Sequence, residues 1–478
     1  MRKDIRDTLD IFAALCAIPH PSGHEEGVAA WLLAWARAQG LTARSDRAGN
    51  VVMDCPASPG WNDRPLVILQ AHTDMVCVAA PGISYDPLRD PIRVVEDGAW
   101  LRAQGTSLGG DDGIGVAMML HILKGNDEHG PLRALFTVDE EFGMKGVKAL
   151  DPTEFTDARW LINLDAERAD EFTVGCAGAL RLEFARPLTY EPPRGTRALK
   201  LSVLGGRGGH SGQEAHRGRV NALRAMSFLL AALAGAGVAF ELADFGGGQA
   251  MNAIPGEAWA LFVLREEAYL AAMKAMERAA GILTQSYAVV EPALRVETED
   301  DNMPALVLSA ADRDDLLDLL LTLPDGVSAM ADGMPGLVRS SSNLSRVTLR
   351  DGEAQVMVMP RSMEWASLEH YRLADTRLAK RLGFSIKVER ISPPWPASGN
   401  SRLAQTMRAV YREQNGKEPT VHACHVGLEC GEFYRKAPGL EIIAVGPDIF
   451  DIHSPQEALF IDSVGTTLDL ITETLRRA

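Results

Sequence analysis

The residues of this 478-residue chain with the most chemistry to offer fall at a few points: His72-Thr73-Asp74, Asp111-Asp112, Asp139-Glu140-Glu141, Asp165 and His453. Apolar runs of strand length precede four of them. Pro65–Leu69 leads to His72, Leu132–Val138 to Asp139, Trp160–Leu164 to Asp165, and Leu440–Val445, across a short loop, to His453. The fifth, Asp111-Asp112, sits in the glycine-rich turn SLGGDDGIG just before a helical stretch. In an open α/β sheet ligands gather at the carboxyl ends of strands, so all five points can share one crevice. Singly, each has a plain structural reading: a loop histidine, a helix-capping aspartate, a solvated strand end. Together they do not, because neighbouring carboxylates at buried strand ends repel one another unless a cation neutralises them. Two histidines and several carboxylates, with no cysteine among them, suit Zn²⁺, Mn²⁺ or Co²⁺. One ion would not need so many ligands. Two ions about 3.5–4 Å apart, bridged by a carboxylate, would use them and set up metal-assisted hydrolysis.

The elements that must hold these residues are legible as patterns. The four apolar runs read as strands buried on both faces, as in a parallel sheet. Ile114–Leu123 reads as a buried helix and Ile461–Leu475 as a final one. This α/β rhythm is interrupted from Pro187 to Gly383, entered through the turn-rich TYEPPRGTR. Leu199–Leu204, Trp259–Leu264 and Ala354–Met359 alternate like half-exposed antiparallel strands, while Arg219–Ala234 and Ala268–Thr284 have helical spacing. The expected fold class is therefore α/β: a discontinuous catalytic domain, residues 1–186 and 384–478, around a mostly parallel sheet, with an inserted α+β domain over residues 187–383.

Composition narrows the function. The charge is −16 from 48 basic and 64 acidic residues, which disfavours nucleic acid as a partner. No stretch fits a membrane span. The first 23 residues, interrupted by Asp4, Asp7 and Asp10, read as an amphipathic helix ending at Pro19 rather than as a secretion signal. Six cysteines without a C-x-x-C pair argue against a disulfide scaffold and for a reducing, cytoplasmic setting.

The stretches HTDMV, TSLGGDDGIG, DEEFGMKG, LINLDAE, GCAGA, GGHSGQEAH, MNAIPGEA, GLECGEF and IHSPQEAL occur in an order and at a spacing that resemble the aminoacylhistidine (Xaa-His) dipeptidases. These di-zinc peptidases are themselves related to carnosinases, peptidase T and aminoacylases. The resemblance covers nearly the whole chain. It implies that His72 and Asp165 hold one metal, Glu141 and His453 the other, and that Asp111 bridges them. It further implies that Asp74 orients His72 and that Glu140 is the general base. His210, in the loop GGRGGHSG, matches a histidine of the inserted lid that polarises the scissile carbonyl, although its type and place alone favour a plain loop histidine. Asn252 and Arg361 match lid positions that contact substrate. The planar fork of an arginine suits a carboxylate.

One departure stands out: Asp112 occupies a position where that branch commonly has asparagine. It either alters metal preference or caps the following helix. His425 and Glu429 are candidates to meet a free amine. The expected activity is hydrolysis of dipeptides, Xaa-His or broader, by a water activated between two divalent ions, zinc first. The expected partners are a small peptide and a second copy of the chain joined through the lid. The rivals are a related amidohydrolase acting on N-acyl amino acids or tripeptides, and a non-catalytic metal-stabilised binding protein. The latter would be expected to have lost the base, and Glu140 is present.

Overall fold

The strands Leu132–Thr137, Val67–His72, Trp160–Asn163 and Glu441–Ala444 lie side by side in that order, all parallel. Every residue of Val67–His72 and Trp160–Asn163 is buried, which is why their sequences are largely apolar rather than alternating. The computed structural model that shows this describes every residue except Asn126.

Among the described residues the sheet has eight strands. Antiparallel strands Val51–Cys55 and Thr42–Ser45 extend one side of the parallel core. On the other side Glu171–Cys176 runs antiparallel to Glu441–Ala444, with Thr420–Cys424 beyond it. Helix Gly110–Lys124 packs on strand Val67–His72 and on helix Lys3–Cys16, and helix Ile461–Arg476 packs on Arg402–Asn415. Buried on nearly all sides, Gly110–Lys124 lacks an amphipathic pattern. No helix among the described residues is long and apolar enough to cross a membrane.

Contacts divide the chain into two units: Met1–Cys176 with Trp395–Ala423 and Leu428–Ala478, and Ala177–Pro394 with Cys424–Gly427. The second unit is built on an antiparallel sheet of eleven strands among the described residues. Its central strands Arg197–Leu204, Ala258–Leu264 and Glu241–Gly247 alternate side chains in and out. The inward set, including Leu201, Val203, Phe245 and Phe262, packs with Met226, Leu229 and Leu230 of helix Ala222–Gly235 and with Met276 of helix Tyr269–Tyr287. The boundaries expected at 186/187 and 383/384 are corrected outward. Strands Gly178–Pro187 and Ser385–Ser392 pair with each other along nearly their whole length, so both belong to the inserted sheet. The return of Cys424–Gly427 to that unit carries no pattern in the sequence, because four residues are too few to show a period.

Candidate active site

In the first unit the carboxyl ends of three neighbouring strands deliver His72, the turn Asp139-Glu140-Glu141, and Asp165. His72 is held by its own neighbourhood. Its Nδ1 lies 3.1 Å from the backbone oxygen of Asp74, which makes Nδ1 the donor and directs the Nε2 lone pair outward. That Nε2 is 3.0 Å from Asp111 Oδ1 and 3.6 Å from Asp165 Oδ1. On the opposite side of Asp111, His453 Nε2 lies 3.3 Å from Oδ2 and 2.6 Å from Glu141 Oε1. The two oxygens of one carboxylate thus face two imidazoles.

Asp74 does more than orient a ring. Its Oδ1 and Oδ2 accept the backbone N–H groups of Glu140 at 2.9 Å and Glu141 at 3.2 Å, and Oδ2 also accepts the Ser22 hydroxyl at 2.7 Å. One buried aspartate therefore ties the His72 strand end to the acidic turn. Asp139, at the start of that turn, has φ +54°, and His453 itself has φ +58°. Both are left-handed conformations of the kind found where a chain is held for function.

Asp111 is presented by a second device. Gly109 has φ +72°, a left-handed turn that glycine adopts without strain, and a Cβ there would come within 2.7 Å of Met75 Sδ. The carboxylate of Glu457 accepts the N–H groups of Leu108, Gly109 and Gly110 at 2.8, 3.1 and 2.7 Å. Glu457 went unnoticed in the sequence, where its only signal is its place four residues after His453 in IHSPQE. Asp112 is buried and non-helical, with φ −111° and ψ +28°, and its Oδ2 accepts the His72 N–H at 3.3 Å. The regular helix begins only after the non-helical Asp111 and Asp112, and Asp112 Oδ1 lies over Gly115 in its first turn, so the reading of Asp112 as a cap of the helix starting at Gly113 stands.

Among the described residues, three groups of donor atoms could hold a metal: His72, Glu140 and Glu141; His72, Asp112 and Asp165; and Asp111, Glu141 and His453. Ligand atoms about 2.0–2.2 Å from a tetrahedral ion stand about 3.3–3.6 Å apart, as do His72 Nε2 from Asp165 at 3.6 Å and His453 Nε2 from Asp111 at 3.3 Å. The electrostatics agree. Burial pushes the carboxyl of Asp165 well above the usual range, with Asp111 adding to the rise against the pull of His72. Burial does the same to Glu140, reinforced by Asp165, Glu429 and Glu141. His72, although buried, is drawn well above the ordinary histidine value by Asp165 and Asp111, and His453 is raised to about 10 chiefly by Asp111 and then Glu141. Carboxylates this crowded have more negative charge than two imidazoles balance, and divalent cations answer that excess.

The second unit holds a cluster of the opposite sign. His210 Nδ1 accepts the N–H groups of Gly212 at 3.3 Å and Gln213 at 3.0 Å, so the neutral ring carries its proton on Nε2. Burial and the Arg361 charge lower its pKa to about 4. Arg361 is 5% exposed, and its polar contact is Met359 Sδ at 3.6 Å. It forms no ion pair with a carboxylate among the described residues, and burial lowers it to about 10. His425 Nε2 meets Ser341 Oγ at 2.7 Å, and burial with Arg361 takes its pKa to about 3. Asn252 is exposed, and its backbone oxygen accepts the Ser211 N–H at 2.7 Å beside His210. Cationic surroundings do not suit an ammonium group, so His425 is corrected as an amine contact. So is Glu429, which is fully buried in the first unit.

The profile of peptidase family M20/M25/M40 matches residues 68–477. The cytosol non-specific dipeptidase of Escherichia coli is 35% identical over 469 residues, covering 98% of this chain and 96% of that protein. The crystal structure of aminoacylhistidine dipeptidase from Vibrio alginolyticus superposes with a TM-score of 0.91 at 32% identity, covering 98% and 96% of the two chains. Aminopeptidase PepT from Bacillus cereus, 14% identical with 98% of each chain covered, shares the fold at a TM-score of 0.61. With a profile match across most of its length and two near full-length dipeptidase relatives, this chain is a peptidase and belongs to peptidase family M20/M25/M40.

Proposed function

We propose that the protein hydrolyses the peptide bond of dipeptides with two divalent metal ions, Zn²⁺ first and Mn²⁺ or Co²⁺ as alternatives. The observation that carries this reading is Asp111, whose two oxygens face His72 and His453 separately. His72 and Asp165 would hold one ion, Glu141 and His453 the other, with Asp111 between them. Bound there, the ions supply an activated water and polarise the scissile carbonyl. Glu140, raised in pKa by burial and its acidic neighbours, accepts the attacking water's proton and returns it to the leaving amine. Asp74 keeps the His72 tautomer and the Glu140 backbone in place. In the inserted unit, His210 is built to donate from Nε2 to a carbonyl oxygen as it gains charge. Arg361, buried without a carboxylate, suits the C-terminal carboxylate of the substrate, and Asn252 is assigned to substrate contact.

The names of the two near full-length relatives support a dipeptide substrate, and the word cytosol in one of them supports a cytoplasmic setting. The test is a panel of dipeptides, their C-terminal amides, tripeptides and N-acyl amino acids, assayed with metal and with chelator. Dipeptides bearing a free carboxylate should be cleaved with the highest kcat/KM, and only with metal. Faster turnover of tripeptides or N-acyl amino acids, or full activity in protein shown by elemental analysis to be metal-free, would reject the proposal.

A further inference from the structure

One step beneath the proposed metal ligands runs a chain of buried polar side chains that the mechanism does not use. Residues two apart on a strand face the same way, so Gln70 lies below His72, and Asn163 below the position that leads to Asp165. Gln70 is in register with Asn163, and Thr137 with His72. Asn163 Nδ2 donates to Gln70 Oε1 at 2.6 Å, while Gln70 Nε2 donates to Thr137 Oγ1 at 3.1 Å and to Glu429 Oε2 at 2.6 Å. The Thr137 hydroxyl, its lone pair used by Gln70, donates to the same Glu429 Oε2 at 2.7 Å. At the other end Asn163 Oδ1 accepts the N–H of Asp165 at 3.2 Å. Gln70, Thr137, Asn163 and Glu429 are all essentially inaccessible to solvent.

The donors run one way, from Asn163 through Gln70 and Thr137, and both branches end on one oxygen. Apolar residues at these positions would pack the floor of the sheet without any hydrogen-bond requirement. Glu429 opens helix Glu429–Lys436, whose first turn is buried, and the positive end of a helix dipole favours a carboxylate there.

We infer that Glu429 is a positioning residue: its Oε2 anchors a hydrogen-bonded chain that fixes the ends of the three strands delivering His72, Glu140-Glu141 and Asp165. The inference rests on the metal-ligand assignment above and adds a residue that touches neither metal nor substrate. Removing the acceptor strands the Gln70 amide and the Thr137 hydroxyl in the interior, and the strand ends must shift to satisfy them.

The experiment is a competitive chelator titration of metal-free protein with Zn²⁺, comparing wild type, Glu429→Leu, Glu429→Gln, Gln70→Leu and the Glu429→Leu/Gln70→Leu double variant. Melting of each metal-free protein is followed in parallel. Glu429→Leu and Gln70→Leu should each weaken Zn²⁺ binding about 10- to 100-fold. The double variant should be no weaker than the poorer single one, because both cut the same chain. Glu429→Gln, which keeps an acceptor oxygen, should bind close to wild type. Unchanged affinity in Glu429→Leu with only a lower melting temperature, a glutamine variant no better than leucine, or additive losses would each overturn the inference. Should Glu429→Leu not fold, Gln70→Leu against Glu429→Gln makes the same comparison. A wild-type protein that binds no Zn²⁺ would instead overturn the ligand assignment.

Discussion

The two units use histidine in opposite ways. In the first unit His72 and His453 stand among Asp74, Asp111, Glu141 and Asp165, and their basicity rises. In the inserted unit His210 and His425 stand near Arg361, and their basicity falls, to about 4 and about 3. Glu214, the acid nearest His210, is already paired with Arg219 at 2.7 Å. One environment is short of positive charge and the other short of negative charge. Neither imidazole chemistry is intrinsic to the residue. Each follows from whether the sequence puts carboxylates or a guanidinium beside it.

The largest effect should come from breaking the first environment at its base. Glu140→Gln keeps the shape but cannot take a proton, so kcat should fall about 10²- to 10⁴-fold with both metals retained. Glu141→Ala should lose metal instead, since Glu141 is the carboxylate beside His453. Metal analysis and steady-state kinetics on the two variants distinguish the roles, and the opposite pattern would exchange them. A smaller loss is expected in the second environment. His210→Ala should keep its metals and lose about 10²- to 10³-fold in kcat, with less change in KM, as for one oxyanion donor. A wild-type kcat would return His210 to an ordinary loop position.

The smallest effect is a pH dependence of stability. The folded-state pKa of His425 lies below the unfolded value near 6.5, so as pH falls below about 6.5 the unfolded chain takes up a proton that the folded chain refuses. Stability should therefore drop on the acid side, by at most about 1.4 kcal/mol per pH unit from this buried group, and the drop should continue toward the folded pKa of about 3. His210 adds a smaller contribution of the same sign because it is only part-buried. Melting curves between neutral and mildly acidic pH should be flatter in His425→Gln than in wild type. Equal slopes would show that His425 is not held neutral by its surroundings.

How far the sequence could be read follows from the same physics. Strands buried on both faces leave continuous apolar runs, so Val67–His72, Leu132–Thr137, Trp160–Asn163 and Glu441–Ala444 were visible, and polar residues just beyond them marked the crevice. Glu171–Cys176 and Thr420–Cys424, at the side of the sheet, have no such run and were missed. Gln70 and Asn163 sat inside apolar runs as apparent exceptions. Their meaning lies in partners 93 and 359 positions away, a separation no local pattern encodes. Asp112 was visible as a departure and Glu457 was not singled out, and for both the role lies in bonds to the backbone of a distant segment, which no local pattern encodes.

The central claim is that Asp111 sits between two metal ions. Titration calorimetry of metal-free protein with Zn²⁺, checked by elemental analysis of the dialysed product, tests it most directly when wild type is compared with Asp111→Ala. Wild type should take up two equivalents, and Asp111→Ala should lose high-affinity binding at both positions, because the two share that carboxylate. One equivalent in wild type, or a variant that still binds two ions with unchanged affinity, would contradict the account.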